Sequence, residues 1–220
     1  MKNNQSLNLW IAGILSILPL FYLAAIYQSL PAIVPTHFDM EGRPNGFSER
    51  SSLIYFTLLF SAIGVGTFLL ITNLPKIDPK KTAGQSPELF QKMGLTIAVL
   101  FCFINFAITY GAANKGENIT WIIFPGMGIF FAFLGKYMRD IKPNYFAGFR
   151  TPWALENDDN WKETHRLAGS MWMVGGIAIT VFTIALPTEY RFIAFMGIIA
   201  IITIIPFVFS YLYFKKHQPK

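Results

Sequence analysis

Two short stretches of the chain gather residue types that could do chemistry. In the first, His37, Asp39 and Glu41 recur at alternate positions. On an extended strand all three would fall on one side, offering an imidazole and two carboxylates to a metal or to acid–base work. Adjacent same-side ligands rarely complete a coordination shell, no second histidine lies on that face, and no nucleophile or oxyanion site accompanies them. No metal, cofactor or catalytic group is therefore expected here. The second stretch, GFRTPWALENDDNWKETHRLAG from Gly148 to Gly169, carries arginines, two tryptophans, His165 and an acidic cluster. Trp161 and His165 are four apart and share one helical face with Ala168, while Lys162 and Arg166 share the neighbouring face.

The elements that must position these groups are strongly apolar. Hydrophobic residues make up 53% of the chain, charged residues 14%, and the mean hydropathy is +0.43. Six uncharged or nearly uncharged runs suffice in length to cross a hydrocarbon core of about 30 Å: Leu7 to Leu30, Leu53 to Leu74, Met93 to Ala113, Ile119 to Tyr137, Leu167 to Leu186 and Phe192 to Phe214. Lys136, near the end of the fourth, can snorkel to the interface. Barrel strands would alternate polar and apolar residues over about 10 positions, and these runs do not. The expected fold class is all-α, a polytopic membrane bundle of six transmembrane helices. The first run is longer than the h-region of a secretory signal, about 7 to 15 residues, and reads as a retained helix. Cys102, the only cysteine, lies in the third span, so no intrachain disulfide can form.

Charge sets the orientation. Lysines and arginines number one before the first span, four in Pro75 to Lys92, six in Lys136 to Arg166 and three after Phe214, against two, one and one in the alternate loops. The positive-inside rule then places both termini and the two richer loops in the cytoplasm. The net charge of +6 is thus an orientation signal with some attraction to anionic lipid, and direct nucleic-acid binding is not needed to explain it.

Between the spans, Leu30 to Arg50 is rich in Pro and Gly; Pro31 and Pro35 favour extended backbone and GRPNG marks a turn. An ordered cap over the outer face is expected, with Ser48 capping the second helix. Pro75, Pro79 and Pro87 break the first cytoplasmic loop, Lys80 and Lys81 serve as topogenic charges, and Ser86-Pro87-Glu88 is a helix start. Asn157 or Asp158 should cap a helix that runs through Trp161 and His165 into the fifth span. Taken singly, Trp153 and Trp161 read as interfacial belt aromatics and Arg150, Lys162 and Arg166 as inside charges; together with the rigid FRTPW turn they read as a structured surface. Within the spans, Gly126 and Gly128 allow close backbone approach. Asn105 lies at bilayer depth, and an unpaired amide there is costly, so it should face another helix. No span carries a charged residue or histidine near its middle, which counts against an ion-coupled transporter.

The Gly148–Gly169 stretch resembles the signature of the SdpI family of bacterial immunity proteins. LPAIVPTHFDMEGRPNGFS resembles the N-terminal module of unknown function (DUF1648 type) that usually precedes it, and LPKIDPKK resembles the loop that follows that module. The resemblance implies a multi-pass protein of the bacterial cell membrane, divided into an N-terminal module over residues 1–115 with external loop 31–52 and an SdpI-like module over 116–220 with cytoplasmic loop 138–166. It implies protection against a secreted, membrane-active peptide toxin, and it raises a relay of toxin binding to a cytoplasmic transcriptional repressor. Its signature falls on Arg150, Thr151, Pro152, Trp153, Trp161, His165 and Arg166, as partner-binding or structural positions, and on His37 and Phe38. With Asp39 and Glu41, the latter two form the expected external ligand-binding set. A non-enzyme is expected; the alternatives are a small-solute transporter or channel, using Asn105, Thr67 and Thr109, and an intramembrane enzyme using His37 or His165.

Overall fold

The structure, a computed structural model, describes residues 2–77, 85–114, 118–144 and 147–217; Pro79, Lys80 and Lys81 lie outside them. Among the described residues, six helices are long and apolar enough to cross a membrane: α1 (Lys2–Ile26, continued by a 3-10 turn at Tyr27–Ser29), α2 (Ser52–Ile77), α3 (Pro87–Ala113), α4 (Thr120–Met138), α6 (Asp158–Ala185) and α7 (Thr188–Lys216). A short α5 (Pro152–Glu156) precedes α6. The shortest span, α4, has 19 residues, which at a rise of about 1.5 Å each reaches roughly 28 Å. The chain is thus a polytopic all-α bundle, as the hydropathy pattern predicts.

Burial shows how the bundle is organised. In α3, 39% of the most apolar window is buried inside the protein, against 11% in α7, so α3 is central and α7 lies at the rim facing lipid. Helices α1, α2 and α3 pack on one another, α4, α6 and α7 form a second group, and α3 against α4 joins them. Asn105 on α3, 2% exposed, donates its amide to the Thr57 carbonyl at 3.1 Å and to Ser61 Oγ at 3.3 Å on α2. The polar group at bilayer depth is an interhelical bolt, and the Thr109 hydroxyl turns back onto the Asn105 carbonyl at 2.8 Å.

The second group is held by a glycine seam. A Cβ on Gly128 would lie 2.6 Å from the Gly176 carbonyl, and one on Gly135 would lie 2.7 Å from the Gly169 carbonyl. Pairs seven residues apart on each helix therefore let α4 and α6 touch backbone to backbone. The sequence singles out Gly126 and Gly128 but not Gly135, Gly169 and Gly176; their heptad spacing is the signal that would have shown the seam.

Outside the spans, residues 33–49 form a two-stranded antiparallel hairpin, β1 (Ile33–Phe38) and β2 (Pro44–Glu49), with Val34 opposite Ser48 and an irregularity between Pro35 and Phe38. Here the structure corrects two expectations. Ser48 sits in the ladder and bonds Thr36 at 3.2 Å, so it does not cap α2, which starts at Ser52. Pro75 does not break the loop either: α2 runs through it to Ile77. Ser86 precedes α3 in extended geometry with Pro87 in its first turn, as expected, although its side chain makes no capping bond.

Candidate functional site: an outer hairpin and an inner brace

The hairpin is seated on the outer ends of the first three helices. Val34 is fully buried among Leu23, Leu30, Leu53 and Ala112, and the tip of the Phe38 ring rests over Gly111 of α3. Arg50 closes the base: its guanidinium donates to the carbonyls of Tyr27 (3.4 Å) and Leu30 (3.3 Å) and lies 5.0 Å from the Tyr27 ring centre. At the far end the Asn118 amide donates to the Glu41 carbonyl, tying the turn to the start of α4.

This geometry separates the residues that alternation would group. The strand ends at Phe38, and Asp39 begins a turn in which its carboxylate accepts the backbone N–H groups of Glu41 (2.9 Å) and Arg43 (2.8 Å). Asp39 is therefore a turn brace and does not share a strand face with His37. His37 is exposed and pairs through Nδ1 with the Asn45 side chain; Glu41 is exposed and pairs with Arg43 at 3.0 Å. Among the described residues no group of three or more metal-ligating side chains converges. The hairpin instead presents apolar side chains that sequence reasoning passed over: Ile33, Met40 and Phe47 are 56%, 66% and 60% exposed. Large apolar residues within a Pro/Gly-rich polar loop were the available signal.

On the opposite end of the bundle, the Gly148–Gly169 stretch folds as a fully bonded brace. Asn157 caps α6, its side chain accepting the Asn160 N–H at 2.8 Å above the acidic first turn of Asp158 and Asp159. Thr151 caps α5, accepting the Ala154 N–H at 3.2 Å with Pro152 in the first turn. Trp161, His165 and Ala168 share one face, as expected, and that face is buried, while Lys162 and Arg166 are exposed. Trp161 is 1% exposed and donates its indole N–H to the Ile141 carbonyl at 2.8 Å, so it is core and not a belt aromatic. His165 lies between two backbone partners. Its Nδ1 faces the Trp161 carbonyl at 2.8 Å and must donate, while Nε2 accepts the Phe149 N–H at 3.0 Å. Those bonds select the neutral ring with its proton on Nδ1 and leave neither nitrogen for catalysis.

A polar network around Ser210 and an aromatic cluster around Trp153 fasten the brace to α7. Thr151 Oγ1 and Ser210 Oγ are 2.6 Å apart, the Asn160 amide donates to the Ser210 carbonyl at 2.9 Å, and the hydroxyls of Ser210 and Thr164 donate to Asn160 Oδ1 at 3.0 and 2.9 Å. Trp153 packs on Phe207, Tyr211 and Phe214. Gly148, at φ +104°, passes so close to His165 that a Cβ would meet Nε2. Of the signature positions, Thr151, Trp161 and His165 are buried, while Arg150, Pro152 and Arg166 are exposed, Arg166 paired with Glu163 at 2.9 Å. Asn160, Thr164 and Ser210, absent from the residues the sequence singles out, complete the network. Above the brace lies a cavity of about 450 Å³, lined by Leu74 of α2, Phe90 and Met93 of α3, Met138 of α4, Phe149 of the brace and Trp172 of α6. Both groups of helices contribute to it.

Fold and site together define a multi-pass membrane protein with a structured cap at each face. Comparison with known proteins gives two matches: residues 140–210 match the model of the SdpI/YfhL protein family, and residues 14–61 match a domain of unknown function, DUF1648. An SdpI-type segment thus follows a DUF1648-type module, and the chain is a multi-pass protein of the bacterial cell membrane. It is 25% identical over 191 residues, 87% of this chain and 88% of the relative, to Immunity protein SdpI of Bacillus subtilis (strain 168). No solved structure matches it.

Proposed function

We propose that this protein protects the cell against a secreted, membrane-active peptide toxin, without catalysing a reaction. The observation that carries the reading is the similarity to Immunity protein SdpI, which extends over 87% of the chain and so takes in both the outer hairpin and the inner brace. The exposed Ile33, Met40 and Phe47 beside His37 and Glu41 suit an amphipathic peptide approaching from outside. The cavity supports a relay: Phe149 of the brace and residues of both helix groups line one space. A toxin that favours one packing of the two groups would change how the brace meets a cytoplasmic repressor.

A toxin-challenge assay tests it. Sensitive cells expressing the chain should survive peptide toxins encoded in its own genome at concentrations that kill cells lacking it. Equal killing with and without the chain overturns the immunity reading. The relay is tested separately, by following reporter transcription from a repressor-controlled promoter while survival is scored.

A further inference from the structure

We propose that the cleft between the inner ends of α4 and α6 is a binding site for the phosphate headgroup of an anionic phospholipid of the cytoplasmic leaflet. Lys136 from α4, Arg139 and Asp140 just past its end, and Lys162, Arg166 and Met173 from α6 line a space of about 380 Å³. Four cations thus face one carboxylate. Arg166 pairs with Glu163, and among the described residues no ion pair engages Lys136, Arg139 or Lys162. Four like charges held together repel one another unless an anion sits among them.

The glycine seam is what gathers them. A Cβ on Gly169 would meet Cγ of Arg139, so the arginine stem lies across α6 at a point only glycine leaves open. Both cationic ends project from one narrow helix pair in place of two separate surfaces.

The outward continuation of the cleft selects a lipid over a soluble anion. Below Lys136 on the same face of α4 come Phe133 and Ile129, 50% and 51% exposed; below Arg166 on α6 come Met173 and Ile177, the latter 55% exposed. Cations at headgroup depth leading directly onto lipid-facing apolar side chains match a phosphate with acyl chains beneath it. An acidic peptide would use the charges and leave this apolar continuation unmatched.

The test is lipid retention by the purified full-length protein, read by native mass spectrometry from detergent with added dioleoylphosphatidylglycerol or dioleoylphosphatidylcholine. One phosphatidylglycerol should be retained at lower concentration than phosphatidylcholine. The double variant Arg139→Gln/Lys162→Gln should weaken phosphatidylglycerol binding on the order of 25-fold, about fivefold per cation, and leave phosphatidylcholine binding unchanged. The charge-keeping pair Arg139→Lys/Lys162→Arg should retain it, as should Lys215→Gln/Lys216→Gln, which removes cations from the end of α7. Equal retention of the two lipids, or equal weakening by the α7 variant, overturns the site. Displacement of phosphatidylglycerol by inorganic phosphate or by a glutamate-rich peptide at micromolar concentration overturns the lipid assignment in favour of a free anion or an acidic partner.

Discussion

Trp161 and His165, one turn apart on α6, are stacked with ring centroids 4.0 Å apart and planes 17° from parallel, and each is 1% exposed. The stack orients the imidazole edge so that both nitrogens reach backbone groups. Replacing His165 by alanine would orphan the Phe149 N–H and open a void beside the indole. The expected loss is about 2–4 kcal/mol, read as a lowered thermal midpoint in detergent. Arg166→Ala, on the exposed face, should stay within about 0.5 kcal/mol; comparable losses in both would contradict the brace.

Glycine substitutions should separate by position. Gly148→Ala places a side chain at φ +104° against His165 and is expected to cost about 1–3 kcal/mol from backbone strain alone. A Cβ at Gly197 would meet nothing within 4 Å, so Gly197→Ala should raise the midpoint, by up to about 1 kcal/mol. Chemical or thermal unfolding of the two variants side by side decides it.

The Thr151–Ser210 contact links the inner loop to the last span. A double-mutant cycle with Thr151→Val and Ser210→Ala should show a coupling of about 0.5–1.5 kcal/mol. Additive losses would mean that the 2.6 Å approach contributes nothing to stability.

Asn105 binds α3 to α2 through two acceptors. Asn105→Leu should lose about 0.6–1.7 kcal/mol, the range of interhelical hydrogen bonds in membranes, while toxin survival at permissive temperature is retained. Loss of protection in a variant of unchanged stability would return Asn105 to a role in a ligand or solute path.

The hairpin surface should be needed for protection and dispensable for folding. Met40→Ser combined with Phe47→Ser removes exposed apolar area (66% and 60% exposed) without touching the buried Val34 foot. Survival under toxin should fall with the thermal midpoint within about 0.5 kcal/mol of the parent. Unchanged survival would remove the hairpin face from toxin contact.

Spans and the cap of α6 are legible in the sequence because each rests on a local rule: run length for the helices and Asn157 before an acidic turn for the cap. That Trp161, His165 and Ala168 share one face follows from helical spacing in the same way, although their burial does not. Residue contacts made across the chain are not local. Ser210 lies 50 residues from Asn160, and nothing in the spacing of either announces that they meet. Asp39 fails for a related reason: period-two alternation assumes a strand that continues, whereas its carboxylate is captured by the backbone two and four residues on. Trp161 matches the composition of an interfacial belt, and only the Ile141 carbonyl, met by a loop that folds back, makes it a core residue.

The backbone contact between α4 and α6 also has a mechanical meaning. With Gly128 on Gly176 and Gly135 on Gly169, α4 and α6 meet through backbone at two points a heptad apart, and any larger residue at those points would have to wedge the pair open. The start of α4 touches the outer turn through Asn118, and the start of α6 carries the inner loop. The α4–α6 pair therefore joins the outer turn to the inner loop through one closely packed unit.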